Sequence, residues 1–252
     1  MPQSISELRK RPHWSFDSLN LLLNGCRLRW AFEYQNKLKP ETTPIRTLFE
    51  SAYRKTAAWI ATSRMKHVTP TMADVREVFS QMWIIERQNV VVSIPPKEIE
   101  RLERIGRRMV ERLSYQWPEG EVLSVGETFS VALPGIDKPI IGESDMVLRE
   151  DAGSTTLVSW LTVFPVSPKL PPQLELMATC LTYAWNQSHG CMPQFHVVLM
   201  AVLGSPKLVQ FDKTRTREDL KKLFALVEGA EWILENQEFV PMLNQHCEAC
   251  PY

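Results

Sequence analysis

The spacing of apolar residues changes at Pro118, and this change limits the folds that the chain can adopt. Before Pro118, apolar side chains recur every three or four positions, a spacing typical of amphipathic helices. These predicted helices cover 15–38, 45–65, 69–88 and 95–117. After Pro118, a shorter alternation predicts strands. They cover 121–134, 138–150, 155–165, 194–203 and 207–212, with further helices at 170–188 and 216–236. The order predicts an α/β fold, a mixed sheet flanked by helices with an N-terminal helical elaboration.

Two positions mark local features of the first predicted helix. Ser15 is a candidate N-cap, with Ser18 three residues behind it. Gly25 interrupts the apolar pattern and costs roughly 1 kcal/mol against alanine in a helix interior. We therefore expect a break, or a close approach of another group, at Gly25.

The 252 residues suit a single large domain preceded by a short arm. We expect a basic arm over 1–14 and one domain over 15–252. Within that domain, 15–117 is mainly helical, 118–240 forms the α/β core and 241–252 is a tail that contains cysteines. The N-terminus lacks the apolar core of a signal peptide, and no apolar run approaches the length of a membrane span. A cytoplasmic protein without a membrane partner is the expectation.

Basic residues are concentrated in the N-terminal quarter, although the formal net charge of the chain is +0. Through Lys66 there are twelve lysines and arginines against five aspartates and glutamates. Such a stretch fits phosphate binding, but charge alone favours a solvated helix surface. Five cysteines in a chain of this length do not indicate a disulfide framework.

Several short motifs follow one another along the chain in a recognisable order. They are "SFDSLNLLLNGCRLRWAFEYQ", "LFESAYRKT", "IIGESDMVL", "LVSWLTVF", "QLELM" and the tail "HCEACPY". In order and spacing they resemble the RecB/AddB-type branch of the PD-(D/E)XK nuclease superfamily, which includes the CRISPR-associated RecB-type exonucleases. The resemblance extends from about Ser15 to Tyr252 and implies a restriction-endonuclease-like fold.

The resemblance implies metal-assisted hydrolysis of phosphodiesters, with Mg²⁺ or Mn²⁺ held by carboxylates and a histidine. Asp145 matches the aspartate of the Gly-x-x-Asp motif, and Gln173 matches the glutamine that opens the next helix. Without the resemblance, the first interpretation of Asp145 is an aspartate that caps a turn.

Four other motif positions depart from the family pattern. Arg54 stands at the histidine, Ser159 at the second acid, Leu161 at the lysine and Met177 at the tyrosine. A permanent cation opposes metal binding, and leucine offers neither charge nor hydrogen bond. Glu127 and Glu143 are the nearby acids that could substitute, but neither replaces the lysine. We expect a centre that has lost catalysis; the alternative is an active Mg²⁺- or Mn²⁺-dependent DNA exonuclease that uses displaced acids.

The resemblance also implies an iron–sulfur cluster held by four cysteines. Cys26, Cys247 and Cys250 match three of its positions, and the fourth would lie beyond Tyr252. Three readings stay open. The sequence is truncated; the site has decayed to reduced thiols; or His246 or a partner's residue completes a zinc or cluster site. A cluster or zinc is expected only if a fourth ligand is supplied, and Mg²⁺ or Mn²⁺ only if the centre is active; with neither condition met, the sequence leaves open a chain without a cofactor.

Three functions follow from these observations. The first is a degenerate nuclease-like protein that binds DNA or serves as a subunit of a larger complex. Its candidate phosphate contacts are Arg27, Arg29, Arg54 and Lys55. The second is the active exonuclease, and the third is a protein-interaction scaffold without nucleic-acid contact. A protein partner is expected in the first and third cases.

Overall fold

A computed structural model describes residues 5–38, 43–88, 95–150, 153–163, 173–201, 206–211, 216–241 and 252. Its helices are α1 Ile5–Leu8, α2 Phe16–Asn24, α3 Arg27–Trp30, α4 Ile45–Met65, α5 Met72–Gln88, α6 Pro96–Tyr115, α7 Gln173–His189 and α8 Thr216–Glu235. Its strands are β1 Trp14–Ser15, β2 Glu121–Leu133, β3 Ile136–Arg149, β4 Thr155–Val163, β5 Gln194–Ala201 and β6 Pro206–Phe211. This order confirms the predicted α/β architecture. In this described part, no helix is both long and apolar enough to cross a membrane.

The first predicted helix is interrupted where Gly25 was expected to interrupt it. The hydroxyl and amide groups of Ser15 and Ser18 bond one another in a capping box that starts α2. A Cβ atom at Gly25 would lie 2.8 Å from the carbonyl oxygen of Leu21, so glycine permits the turn that ends α2. The chain then continues as α3 and a π-helical turn at Ala31–Gln35. Trp14, the last residue of the predicted arm, lies in β1 and is 1% exposed.

The sheet is mixed, and its strand order is β1-β3-β4-β5-β6 with β2 on the other edge of β3. The edge of β3 away from β2 pairs with two different strands, one after the other along its length. β1 pairs in parallel at Ile140 and Ile141, and β4 pairs antiparallel with Met146–Arg149. Beyond Val158, β4 leaves β3 and pairs only with β5 among the described strands. The strands β3 and β4 therefore fork immediately before Met146.

Helices cover both faces of the sheet. Met146 and Val158 point to a core shared with α4, α5 and α6, and we call this side the α4 face. Their neighbours Val147 and Leu157 point to a core shared with α7, and we call that side the α7 face. Helices α2 and α8 complete the cover of the α7 face through Leu19, Leu22, Val227 and Ala230.

At one position in β2 and β3, the side chains that would point to the α4 face point to the α7 face instead. Val125 packs on the α4 face, whereas Glu127, two residues later, lines a cavity on the α7 face. Regular alternation would place both on the same face. Gly126 lies between them with φ +67, a left-handed conformation that favours glycine. The same exchange occurs opposite it in β3, where Ser144 lines the cavity and Met146 packs on the α4 face.

Candidate functional site

Asp145 lies at the fork between β3 and β4, and the fork provides its hydrogen-bond donors. At this point the backbone N–H of Trp160 donates to Oδ2 of Asp145 at 2.9 Å. On the other oxygen, Oδ1 accepts from Nη2 of Arg54 at 2.5 Å and from its Nε at 3.2 Å. The Asp145 side chain is 10% exposed, so these three donors hold a nearly buried carboxylate. It does not cap a turn.

Arg54 on α4 is the positive centre of a small group of carboxylates. Burial acts to lower the pKa of Arg54, but Asp145 first, and then Glu50 and Asp17, outweigh it and raise the pKa. Burial raises the pKa of Glu50; Arg54 offsets part of that rise, and Asp17 and Asp145 add to it. The guanidinium thus supplies the charge that these acidic groups require. The family would place a metal ligand at this helical position.

The other acids named from the sequence do not join Asp145. Glu127 lies on the α7 face, where its Oε2 accepts from the Ser124 hydroxyl at 2.6 Å. Glu143 is exposed, and its Oε1 lies over Gly126 on the neighbouring strand. Within the described residues, no group of three or more histidines, cysteines, aspartates or glutamates is arranged to hold a metal ion.

The two strand positions assigned to the second acid and the lysine also lie away from Arg54. Leu161 packs with Leu157 on the α7 face, and Ser159, between them, shares that face by strand alternation. At this point in β4, the side chain on the α4 face is that of Trp160, which is wholly buried. Gln173 supplies the first residue of α7, on the other side of the sheet from α4. Asp145 and Arg54 are therefore the predicted positions that the structure brings together.

Each of the four basic residues proposed as a phosphate contact pairs with a carboxylate. Arg54 pairs with Asp145, and Lys55 pairs with Glu86 of α5. Arg27 lies 3.4 Å from Glu238, and Arg29 lies 3.6 Å from Glu33 one helical turn away. These side chains belong to two separate parts of the chain, α3 and α4. The pairing reduces the net positive field that any of them offers to a phosphate.

The end of the described chain returns to the neighbourhood of Cys26. Cys26 is half-buried at the start of α3. Trp30 stacks on Phe239 with ring centroids 5.9 Å apart, and Phe32 contacts Tyr252 at 5.8 Å. Cys247 and Cys250 lie outside the described residues, so the three-cysteine site stays a prediction. Phe239 therefore lies next to α3, and Tyr252 lies next to the π-helical turn that follows it.

A second group of polar residues, on the α7 face, was not predicted as a site. Trp185 and His189 of α7 stack with ring centroids 3.6 Å apart, and His189 Nε2 lies 3.6 Å from Glu127 Oε1. Sequence reasoning assigned Glu127 to the metal centre because it lies one strand before Asp145. Trp185 and His189 belong to the last two turns of a helix and carry no motif, so only the packing of α7 reveals them.

Known proteins supply a fold but no family. No protein-family model matches the chain, and no curated protein does. A crystal structure of a protein from Eubacterium rectale, named "Putative exonuclease", is similar over 99% of this chain and 92% of that one, with a TM-score of 0.57 and 12% identity. The structure of SSO0001 covers 89% of this chain and 91% of its own, with 16% identity and a TM-score of 0.40, too low to carry an argument. The chain therefore shares the α/β fold of the Eubacterium rectale protein.

Proposed function

We propose that this chain is a RecB-type PD-(D/E)XK nuclease relative that has lost catalysis and acts in DNA binding or as a structural subunit of a DNA-processing or defence complex. The ion pair between Arg54 and Asp145 carries the proposal. At the position where the family holds a divalent cation, this chain holds a guanidinium with its own carboxylate. The pair neutralises the charge that would otherwise attract Mg²⁺ or Mn²⁺.

The chemistry of hard cations supports the loss of catalysis. Mg²⁺ gives up its water reluctantly and needs several well-placed oxygen ligands. Asp145 has both oxygens engaged by Arg54 and by the Trp160 amide. Glu127 is on the opposite face, and the positions matched to the second acid and the lysine also face α7. With a permanent cation beside Asp145, a metal would have to displace a charge that cannot be lost by deprotonation.

The pairing of the basic residues with carboxylates helps to decide whether DNA or another protein is the main partner. A free-standing DNA-binding protein uses unpaired lysines and arginines to neutralise phosphates. Here the four candidates each face a carboxylate, and the formal net charge is +0. These observations favour the role of a subunit held mainly by a protein partner, with DNA contact secondary.

A cleavage assay tests the proposal. We expect the purified protein to leave single-stranded DNA intact in the presence of Mg²⁺ or Mn²⁺. Mn²⁺-dependent cleavage that Asp145→Ala abolishes and the control Glu77→Ala, on the exposed surface of α5, preserves would overturn the proposal and establish the exonuclease. A binding isotherm at several salt concentrations separates the two remaining roles: DNA affinity that falls steeply with salt supports DNA binding, and no affinity at low salt leaves a protein-interaction role.

A further inference from the structure

The exposed side of α6 carries basic residues at helical spacing. The helix contains six lysines and arginines against four glutamates, and its apolar side, with Met109, is buried in the core on the α4 face. On the other side, the exposed residues Lys97, Arg104, Arg108 and Tyr115 form what we call the α6 stripe. Intervals of seven, four and seven residues align them along one side of the helix, over about 27 Å.

The three basic residues of the α6 stripe are not neutralised by ion pairs. Three of the four glutamates pair with arginines outside the stripe, namely Glu98 with Arg101, Glu103 with Arg107, and Glu111 with Arg76 of α5. The fourth, Glu100, lies one turn before Arg104 and forms no ion pair with it. Within the part of the chain that the structure describes, no carboxylate pairs with Lys97, Arg104 or Arg108.

This lack of pairing separates the α6 stripe from the cations of α3 and α4. Arg27, Arg29, Arg54 and Lys55 each face a carboxylate of the protein. An exposed cation without such a partner holds only counterions from the solution, and binding to a phosphate releases them. The α6 stripe can therefore bind phosphates without first breaking an ion pair.

Tyr115 ends the stripe with an aromatic ring in solvent. It is 83% exposed, the largest fraction among the large hydrophobic residues that the structure describes. The last turn of α4 lies beside it, because Arg64 Nη2 donates to the carbonyl of Ser114 at 3.2 Å, and the exposed Lys66 follows that turn. Proteins hold single-stranded nucleic acid with this combination, in which cations follow the phosphates and a ring stacks on a base.

We propose that the α6 stripe binds single-stranded DNA, with Arg104 and Arg108 on phosphates and Tyr115 stacked on a base. Duplex DNA offers the phosphates but keeps its bases stacked on one another, so the ring favours a single strand. The inference rests on the DNA-binding form of the proposed function and gives this secondary contact a location. It uses neither Arg54 nor Asp145, so it does not depend on the loss of catalysis.

The arginines are tested through the salt dependence of binding. Fluorescence anisotropy of a labelled oligo-dT of about twelve nucleotides measures the affinity at several salt concentrations. We expect the double variant Arg104→Gln/Arg108→Gln to bind more weakly. Its slope of log affinity against log salt should be smaller by about 1.4, because each phosphate contact of a single strand contributes about 0.7.

The matched control removes the same formal charge from the other face of the sheet. Lys221→Gln/Lys222→Gln takes two exposed cations from α8, which packs on the α7 face. This double variant should keep both the affinity and the salt slope of the parent protein. A loss of slope as large as that of the arginine variant would mean that only net charge matters, and it would overturn the inference.

Tyr115 is tested by removing and by keeping its ring. Tyr115→Ala should lower the affinity for oligo-dT about tenfold, whereas Tyr115→Phe should preserve it, because stacking needs only the ring. The residue is exposed, so neither change disturbs the core. A duplex of the same length should bind Tyr115→Ala and the parent protein equally. Equal losses with the single strand and the duplex would contradict stacking on a base.

The remaining outcomes separate this inference from the proposed function. Oligo-dT binding that Arg104→Gln/Arg108→Gln leaves unchanged would overturn the inference, while DNA binding at another surface would stand. A parent protein that binds no oligo-dT even at low salt would overturn both the inference and the DNA-binding role, leaving a protein-interaction role. Poly-glutamate that competes as well as oligo-dT, with Tyr115→Ala without effect, would identify an acidic protein as the partner of the α6 stripe and would also overturn the inference.

Discussion

The carboxylates on the two faces of the sheet differ in burial and in the number of hydrogen-bond donors that they receive. On the α4 face, Asp145 is 10% exposed and takes three N–H donors from Arg54 and Trp160. On the α7 face, Glu127 is 34% exposed, has one hydroxyl donor and leaves an oxygen unbonded within the described chain. A nearly buried charge must be compensated by the protein itself, whereas a half-exposed charge can be left available. Asp145 is thus compensated by the protein itself, whereas Glu127 leaves one carboxylate oxygen to solvent.

The helices on the two faces can be compared through one glycine on each side. Substitutions at these two glycines are expected to give the largest difference in stability. A Cβ atom at Gly106 of α6 would lie 1.9 Å from the ring of Phe79, which is wholly buried on the α4 side. A Cβ atom at Gly229 of α8 would meet nothing within 4 Å. We expect Gly106→Ala to lower the free energy of unfolding by about 2–3 kcal/mol, because the buried ring must move.

The matched change, Gly229→Ala, should raise the free energy of unfolding by up to about 1 kcal/mol, because alanine is the better helix former and has room. Urea denaturation of the two variants beside the parent protein measures both values. Equal effects of the same sign would show that the two layers of helices are packed alike, and the contrast between the faces would fail.

The two carboxylates themselves give the second test. Asp145→Asn removes the charge that Arg54 and the Trp160 amide were placed to bind, and we expect it to cost about 1–3 kcal/mol of unfolding free energy. Glu127→Gln removes a half-exposed charge and should cost less than about 1 kcal/mol. Both values come from the same urea titrations. A larger loss at Glu127 than at Asp145 would reverse the comparison.

The smallest expected effect concerns Glu50, beside Arg54 on the α4 face. Burial, first of all, raises the pKa of Glu50 in the folded chain. The folded state then binds a proton at Glu50 more tightly than the unfolded state does. The contribution of Glu50 to the free energy of unfolding is therefore lost as pH rises through its folded pKa. Glu50→Gln should therefore stabilise the protein modestly at neutral pH and have no such effect at pH values below the unfolded pKa.

Thermal unfolding of the parent protein and of Glu50→Gln across the acid range measures this difference. Glu77→Gln, on the exposed surface of α5, is the control and should give parallel curves. A Glu50→Gln advantage that is constant with pH would show that proton binding at Glu50 is not its cause.

Local rules in the sequence predict the elements of the fold well. The spacing of apolar residues placed α4 over 45–65, which is the span that the structure shows. The break at Gly25 and the cap at Ser15 are also confirmed, since each depends only on neighbours within one helical turn.

The site is harder to predict, because it depends on which face of the sheet a side chain reaches. The structure brings Arg54, at the family's histidine position, into an ion pair with Asp145. Strand alternation alone could not show that β2 and β3 exchange faces at Gly126, and this exchange sends Glu127 to α7. The carboxylates that pair with Arg27 and Lys55 lie at distant positions in the chain and carry no motif.

The contact of α3 with Glu238 and Phe239 also affects the order in which the chain folds. Arg27 and Glu238 are separated by 211 positions, and Trp30 must stack on Phe239 to complete its surroundings. A chain emerging from the ribosome folds its earlier parts first, yet α3 cannot find these partners until Phe239 has been made. Contacts so distant in sequence also form slowly. The segment around Cys26 is therefore made well before its partners and should reach its native surroundings late.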